Sequence, residues 1–185
     1  MNLIICDIDG VLADCSHRLH YLKEKNYDKF YSADEMLNDK VIRQGADFAR
    51  CLTDTRDNVC LLTGRPERTR ECTKAWFALN HIYPTPECHP MYMRADGDYR
   101  PSDVVKVEQL DKLLEEQYLE SNYKLSKKEA AKIKRKKMEE KRQLYTKRYS
   151  QIIYIDDDPK NVKAVCEAFP QITGITFGTK RMEEK

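Results

Sequence analysis

"LIICDIDGVLAD" spans residues 3–14, and "QIIYIDDD" spans residues 151–158. Each carries a short apolar run straight into closely spaced carboxylates. An apolar run with no polar alternation predicts a strand buried on both faces, the pattern of a parallel sheet covered by helices on two sides. Acids at the end of such a strand then fall on the rim outside the carboxyl ends, where open α/β sheets bind their ligands. Asp7 and Asp9, two residues apart, share one side if the extended pattern continues. Gly10 lets the chain turn away.

The remaining elements fit the same sheet. "VCLLTGR" (59–65) reads as another buried strand ending in a turn, "ECHPMYMR" (87–94) as a weaker one, and "ITGITF" (172–177) as the last. Helices are expected within 41–54, over 68–82 with Ala75, Trp76, Leu79 and Ile82 near one apolar stripe, over 102–116 with Ser102 as N-cap, and over 161–169. Strands alternating with helices give an α/β domain with a mostly parallel sheet and right-handed crossovers. Asp7, Thr63 and Asp156 each follow a strand and should meet on one rim. Residues 16–40, polar and rich in Tyr, Lys and Asp, read as short helices or an excursion from the main body.

The chain has 185 residues, 33 Lys and Arg against 31 Asp and Glu, and a net charge of +2. That length suits one domain with a real core, and the near-neutral balance names no partner. Seven cysteines without a CxxC pair argue against a zinc site or disulfide framework and for reduced thiols in a cytoplasm. The four histidines are not at metal-ligand spacing, and Cys6 reads as a small core residue. The first apolar run stops at Asp7, too early for a signal peptide or membrane span. The expectation is a soluble cytoplasmic protein with no membrane contact.

Carboxylates from two strand ends make a site for a hard divalent cation. Mg²⁺ prefers oxygen ligands and binds through one or two carboxylates plus substrate phosphate. Thr63, Gly64 and Arg65 supply a hydroxyl, exposed amides and a guanidinium suited to phosphate oxygens. Lys106, in the first turns of a helix, is a second cation that could reach the rim. This inventory belongs to phosphoryl transfer, and a carboxylate can itself be the nucleophile. Taken singly, each motif also has an ordinary reading. Asp7 and Asp9 could be a solvated strand-end turn, Thr63-Gly64-Arg65 a simple turn, and Arg18 an exposed side chain in a polar loop. Asp158 suits the N-cap of the helix that starts near Pro159.

In order along the chain, "DIDGVLAD", "LLTGR", the lysine of "SDVVK" and "IIYIDDD" resemble the four motifs of the haloacid dehalogenase (HAD) superfamily. The resemblance implies a Rossmann-like HAD fold and a phosphatase. Asp7 would be the nucleophile, and Asp9 the acid and base with its carbonyl on Mg²⁺. Thr63 would bind phosphoryl oxygens, Lys106 would steady Asp7, and Asp156 and Asp157 would hold the metal and its waters. The family's threonine after DxDG is Val11 here, at a position that mainly packs. More narrowly, "ADCSHR", "LTGR" and "RADGDYRPSDVVKVEQL" resemble the 3′-phosphatase domain of phage polynucleotide kinase. There two arginines contact the phosphate, which by position implies Arg18 and Arg65. That family tends to carry an acidic pair before "VVK", where this chain has Ser102 and Asp103. No GxxxxGK[ST] loop is present, so no kinase half is expected within these residues.

The stretch 124–149, "KLSKKEAAKIKRKKMEEKRQLYTKRY", holds 12 Lys and Arg and 3 Asp and Glu, a local +9 that leaves the other residues at −7. It reads as a helical insertion, about 115–149, into a single domain spanning 1–185 with a small cap at about 16–40. Such a run is by default a solvated face. It could also be a basic arm for a nucleic-acid backbone or a contact between copies of the chain. The resulting expectation is a Mg²⁺-dependent phosphatase removing 3′-phosphate from DNA or RNA ends. Small substrates such as nucleoside monophosphates are the alternative, and a nucleic-acid-binding module with a vestigial site a third reading.

Overall fold

The computed structural model describes residues 1–52, 58–122, 126–134 and 136–178. Five strands, β1 (Leu3–Cys6), β4 (Asn58–Pro66), β5 (Met91–Arg94), β6 (Ile152–Asp156) and β7 (Ile172–Thr176), form the central sheet. Their order is β5-β4-β1-β6-β7, and every neighbouring pair is parallel. The chain fills one side of β1 first and the other side later, so the strand order reverses beside β1. A ligand crevice is expected at that reversal, outside the strands' carboxyl ends.

β1 is apolar throughout because both its faces are covered. Ile4 and Cys6 face α4 (Arg43–Leu52) and α5 (Arg70–Asn80), packing with Ala46, Ala49, Trp76 and Phe77. Leu3 and Ile5 face α6 (Ser102–Ser121) and α9 (Pro159–Ala168), packing with Leu110, Leu113, Val165 and Phe169. Alternation along the strand deals successive side chains to opposite cores, and each buried aliphatic contributes about 1.5–3 kcal/mol.

Residues 16–37 form a 3₁₀ turn (Ser16–Arg18) and the short helices α1 (Leu19–Lys23), α2 (Tyr27–Phe30) and α3 (Ala33–Leu37). The flanking strands β2 (Ala13–Asp14) and β3 (Lys40–Val41) pair antiparallel and close this small cap at its base.

Two local expectations change and one holds. In α5 the buried face is Thr73, Trp76 and Phe77, whereas Leu79 is 67% exposed. Leu79 satisfied the spacing, but no element packs over that side of the helix. Ser102 is the first residue of α6 rather than its cap; Pro101 occupies the cap position, and no side chain caps the helix there. Asp158 does cap α9, accepting from Lys160 N at 2.9 Å.

The basic segment holds α7 (Lys127–Lys134) and α8 (Met138–Thr146), which follow α6. Of that segment, Lys124, Leu125 and Arg135 lie outside the described residues. Ile133, Tyr145 and Tyr149 are buried in the α6/α9 core. Arg142 binds Asp111 through both carboxylate oxygens (2.8 and 2.7 Å), with its guanidinium 4.4 Å from the Phe169 ring centroid. The insertion is therefore partly a core element.

Candidate active site

Three chain segments converge at the crevice beside β1. Asp7 directly follows β1, Asp156 ends β6, and Lys106 sits in the second turn of α6. The Lys106 ammonium lies 2.9 Å from Asp7 Oδ1 and 3.2 Å from Asp156 Oδ2, and donates to Leu62 O at 2.7 Å. Asp7, Asp156 and Lys106 are all buried. Burial pushes the Asp7 carboxyl well up from its ordinary value, against the opposing pull of Lys106. Burial also disfavours the Lys106 ammonium, but Asp7 and Asp156 outweigh it and raise its pKa. Asp156 resists burial in the same way, held down by Lys106, the Tyr154 hydroxyl, Asp158 N and Asn161 Nδ2. A buried ammonium between two carboxylates keeps charge where water would otherwise be needed.

Asp157 completes the acid cluster. One oxygen from each of Asp7, Asp156 and Asp157 can be chosen so that all lie within 4.8 Å of one another. Gly10, at φ +79°, makes the space. A Cβ there would fall 2.2 Å from Asp157 Cγ. Asn161 Oδ1 is buried without a partner among the described residues. An all-oxygen donor set of this kind suits Mg²⁺ chemically.

Asp9 belongs to a second cluster. Arg65 reaches it through Nη2 at 2.6 Å and Nε at 3.1 Å, and Arg18 Nη2 reaches it at 2.9 Å. Although burial raises the Asp9 pKa, the two guanidiniums outweigh it and hold the carboxyl below its ordinary value. Behind them stands Asp39. Its Oδ1 accepts from Arg18 Nε at 2.7 Å, and its Oδ2 from Arg18 Nη2 at 2.8 Å and Arg65 Nη2 at 2.7 Å. Its carbonyl accepts from Trp76 Nε1 at 2.8 Å. Arg18 is fully buried, so the exposed-loop reading fails; Phe30 O and the Phe30 ring, 4.2 Å away, cover it.

Sequence reasoning missed Asp39, Tyr154 and Asn161. Nothing in "LNDKV" separates Asp39 from a surface acid, because its partners come from the other end of the cap and from β4. Asn161, one turn into α9 behind the last acids, carried a faint spacing signal.

The cleft over these groups measures about 540 Å³. Asp7, Asp9, Lys106, Asp157 and Gly64 line its floor, while Leu19, Leu22, Phe30 and Tyr31 of the cap form an apolar wall. Thr63, Arg18 and Arg65 lie one layer back, all fully buried. Thr63 Oγ1 accepts from Arg65 N at 3.2 Å, and Thr63 O accepts from Gln109 Nε2 at 3.2 Å. No described residue of the basic stretch 124–149 lines the cleft.

The sequence model for the polynucleotide kinase PNKP phosphatase domain matches residues 1–124. This chain belongs to that family. It is a HAD phosphatase domain, with the mostly parallel sheet and flanking helices described above. The solved Pnkp1/Rnl/Hen1 complex contains a chain similar to this one at 18% identity and TM-score 0.56. The likeness covers 95% of this phosphatase domain and 45% of that chain. The Pnkp1/Rnl/Hen1 RNA repair complex gives 18% identity, TM-score 0.57, and coverage of 96% and 43%. This HAD domain thus spans less than half the length of those chains, and the likeness concerns the fold. A hydrolase from Streptococcus pneumoniae TIGR4 is similar at 13% identity and TM-score 0.48, covering 95% of this chain and 92% of that one. No curated protein matches. Among the described residues, no helix is long and apolar enough to cross a membrane.

Proposed function

We propose that this HAD phosphatase removes 3′-phosphate from polynucleotide ends, with Mg²⁺ and an aspartyl-phosphate intermediate on Asp7. The observation that carries the chemistry is the Lys106 ammonium placed between Asp7 and Asp156 beside Asp157. The match to PNKP phosphatase domains supports the substrate, and so does a small cap whose α1 and α2 wall the cleft.

Asp7, Asp156 and Asp157, with the Asp9 carbonyl, would hold Mg²⁺. When bound, the ion would neutralise phosphoryl charge and orient the ester for in-line attack. The Asp7 carboxylate attacks phosphorus, and the bond from phosphorus to the 3′ oxygen breaks with its electron pair going to that oxygen. Asp9 donates a proton to the departing oxygen, then takes one from the water that attacks the phosphorus. Free phosphate leaves, and the Asp7 carboxylate is restored. Lys106 opposes the upward push of burial on Asp7 and so favours its charged form, since a protonated acid would be no nucleophile.

Arg18 and Arg65 hold Asp9 as a carboxylate in the state described here. Phosphoryl oxygens entering the cleft compete for these guanidiniums, which loosens Asp9 and lets its pKa rise for proton donation. Asp39 retains the arginines during the exchange.

The test is phosphate release from oligonucleotides phosphorylated at the 3′ or the 5′ end and from nucleoside monophosphates. Preference for the 3′-phosphorylated oligonucleotide supports the proposal. Equal or greater kcat/KM on mononucleotides would identify a small-molecule phosphatase. Binding of oligonucleotide with no release from any substrate would identify a vestigial site.

A further inference from the structure

Next to the catalytic cleft lies a smaller groove of about 210 Å³ that the chemistry above does not use. Tyr27 of α2 and Tyr99 of the loop between β5 and α6 pair across it, ring centroids 5.8 Å apart at 50°. Tyr27 is 41% and Tyr99 74% exposed. Tyr99 leaves most of its surface to solvent, so its ring does little for the fold. Arg68, Arg94 and Arg100 line the same groove with Asp98. Arg100 is paired with Asp98 and Glu108 and Arg68 lies near Asp28 and Asp96, whereas Arg94 Nη1 donates to the carbonyls of Asp98 and Arg100. Arg94 Nε is buried without an acceptor among the described residues.

The groove continues into the active site. Tyr31 lines both spaces, and its hydroxyl donates to Gly64 O at 3.4 Å. Arg94 Nη2 lies 3.9 Å from where a Gly64 Cβ would stand. Along β4, Gly64 at the cleft floor and Pro66 at the groove are two residues apart, about 7 Å of extended chain. That interval suits the step from a terminal phosphate, past its own nucleoside, to the nucleotide before it.

We infer that this groove is a stacking subsite. It holds the base of the nucleotide preceding the 3′-terminal one, on the open face of Tyr99 and Tyr27, with Arg68 and Arg94 facing the intervening phosphate. The inference rests on the polynucleotide 3′-phosphatase reading and adds the feature that distinguishes a strand from a mononucleotide. Aromatic stacking tolerates any base, so the subsite selects for length and single-strandedness and not for sequence.

The experiment compares kcat/KM on a nucleoside 3′-monophosphate, a 3′-phosphorylated dinucleotide, and the same dinucleotide lacking its 5′ base. In the wild-type protein the intact dinucleotide should exceed both others by about five- to a hundredfold. Tyr27→Ala/Tyr99→Ala should erase that advantage and leave the mononucleotide rate within twofold. Release that ignores the second base overturns the subsite alone and marks the tyrosine pair as a protein contact. The wild-type comparison decides this even if the double variant fails to fold. No release from either nucleotide contradicts the phosphatase reading, and the subsite with it.

Discussion

Asp39, just after the last cap helix, and Arg65, in the central sheet, are 26 residues apart in sequence and 2.7 Å apart in space, both fully buried at the side chain. The pair fastens the cap to the sheet and presents Arg65 to Asp9. Asp39→Ala leaves two buried guanidiniums with only Asp9 to offset them. Removing one partner of a buried pair costs about 3–5 kcal/mol, or on the order of 10 °C in a chain of this size. Thermal unfolding of Asp39→Ala and Asp39→Asn checks this, and the Asn variant should lose less because it retains an acceptor.

Gly10 is expected to tolerate no side chain. Its positive φ costs an L residue about 1–2 kcal/mol, and a Cβ would overlap Asp157 Cγ and Oδ2, each 2.2 Å away. Gly10→Ala should displace Asp157 and raise the Mg²⁺ concentration needed for half-maximal phosphate release at least several-fold. A metal titration of activity measures the shift.

Gly45 tests the fold without touching the chemistry. A Cβ there would lie 1.8 Å from Val11 O, a backbone atom that cannot swing aside. Gly45→Ala should push α4 off the turn that follows Asp9 and destabilise the chain by about 1–3 kcal/mol, measured by urea unfolding.

Much of the frame was legible because β1 and β6 are buried on both faces and their apolar runs end at the clustered acids. The Asp158 cap was legible from chemistry within two residues. Leu79 misled because helical spacing identifies a stripe without saying whether a neighbour covers it. β2 and β3 are two residues each, too short to show alternation. Asp39 and the buried state of Arg18 arise from distant segments meeting in space, which no local pattern encodes. The charged run 124–149 read as a solvated face or arm, but Ile133, Tyr145 and Tyr149 tie it into the core.

Asp98 gives a pH signature beside the tyrosine groove. Hydrogen bonds from the Arg100 side chain and backbone hold its carboxyl at about 2. A folded-state pKa below the unfolded one stabilises above the ordinary carboxylate range, and that stabilisation fades as pH falls toward 2. An NMR titration of the Asp98 carboxyl carbon should show the low midpoint, and Arg100→Gln should move it back toward 4.

The central claim is that Asp7 accepts the phosphoryl group, and the most direct measurement is phosphate release from a 3′-phosphorylated oligonucleotide by Asp7→Asn in saturating Mg²⁺. The amide keeps the shape and removes the nucleophile, so kcat should fall on the order of 10⁴-fold or more while the variant stays folded. Turnover by folded Asp7→Asn within tenfold of the wild-type rate would contradict the account.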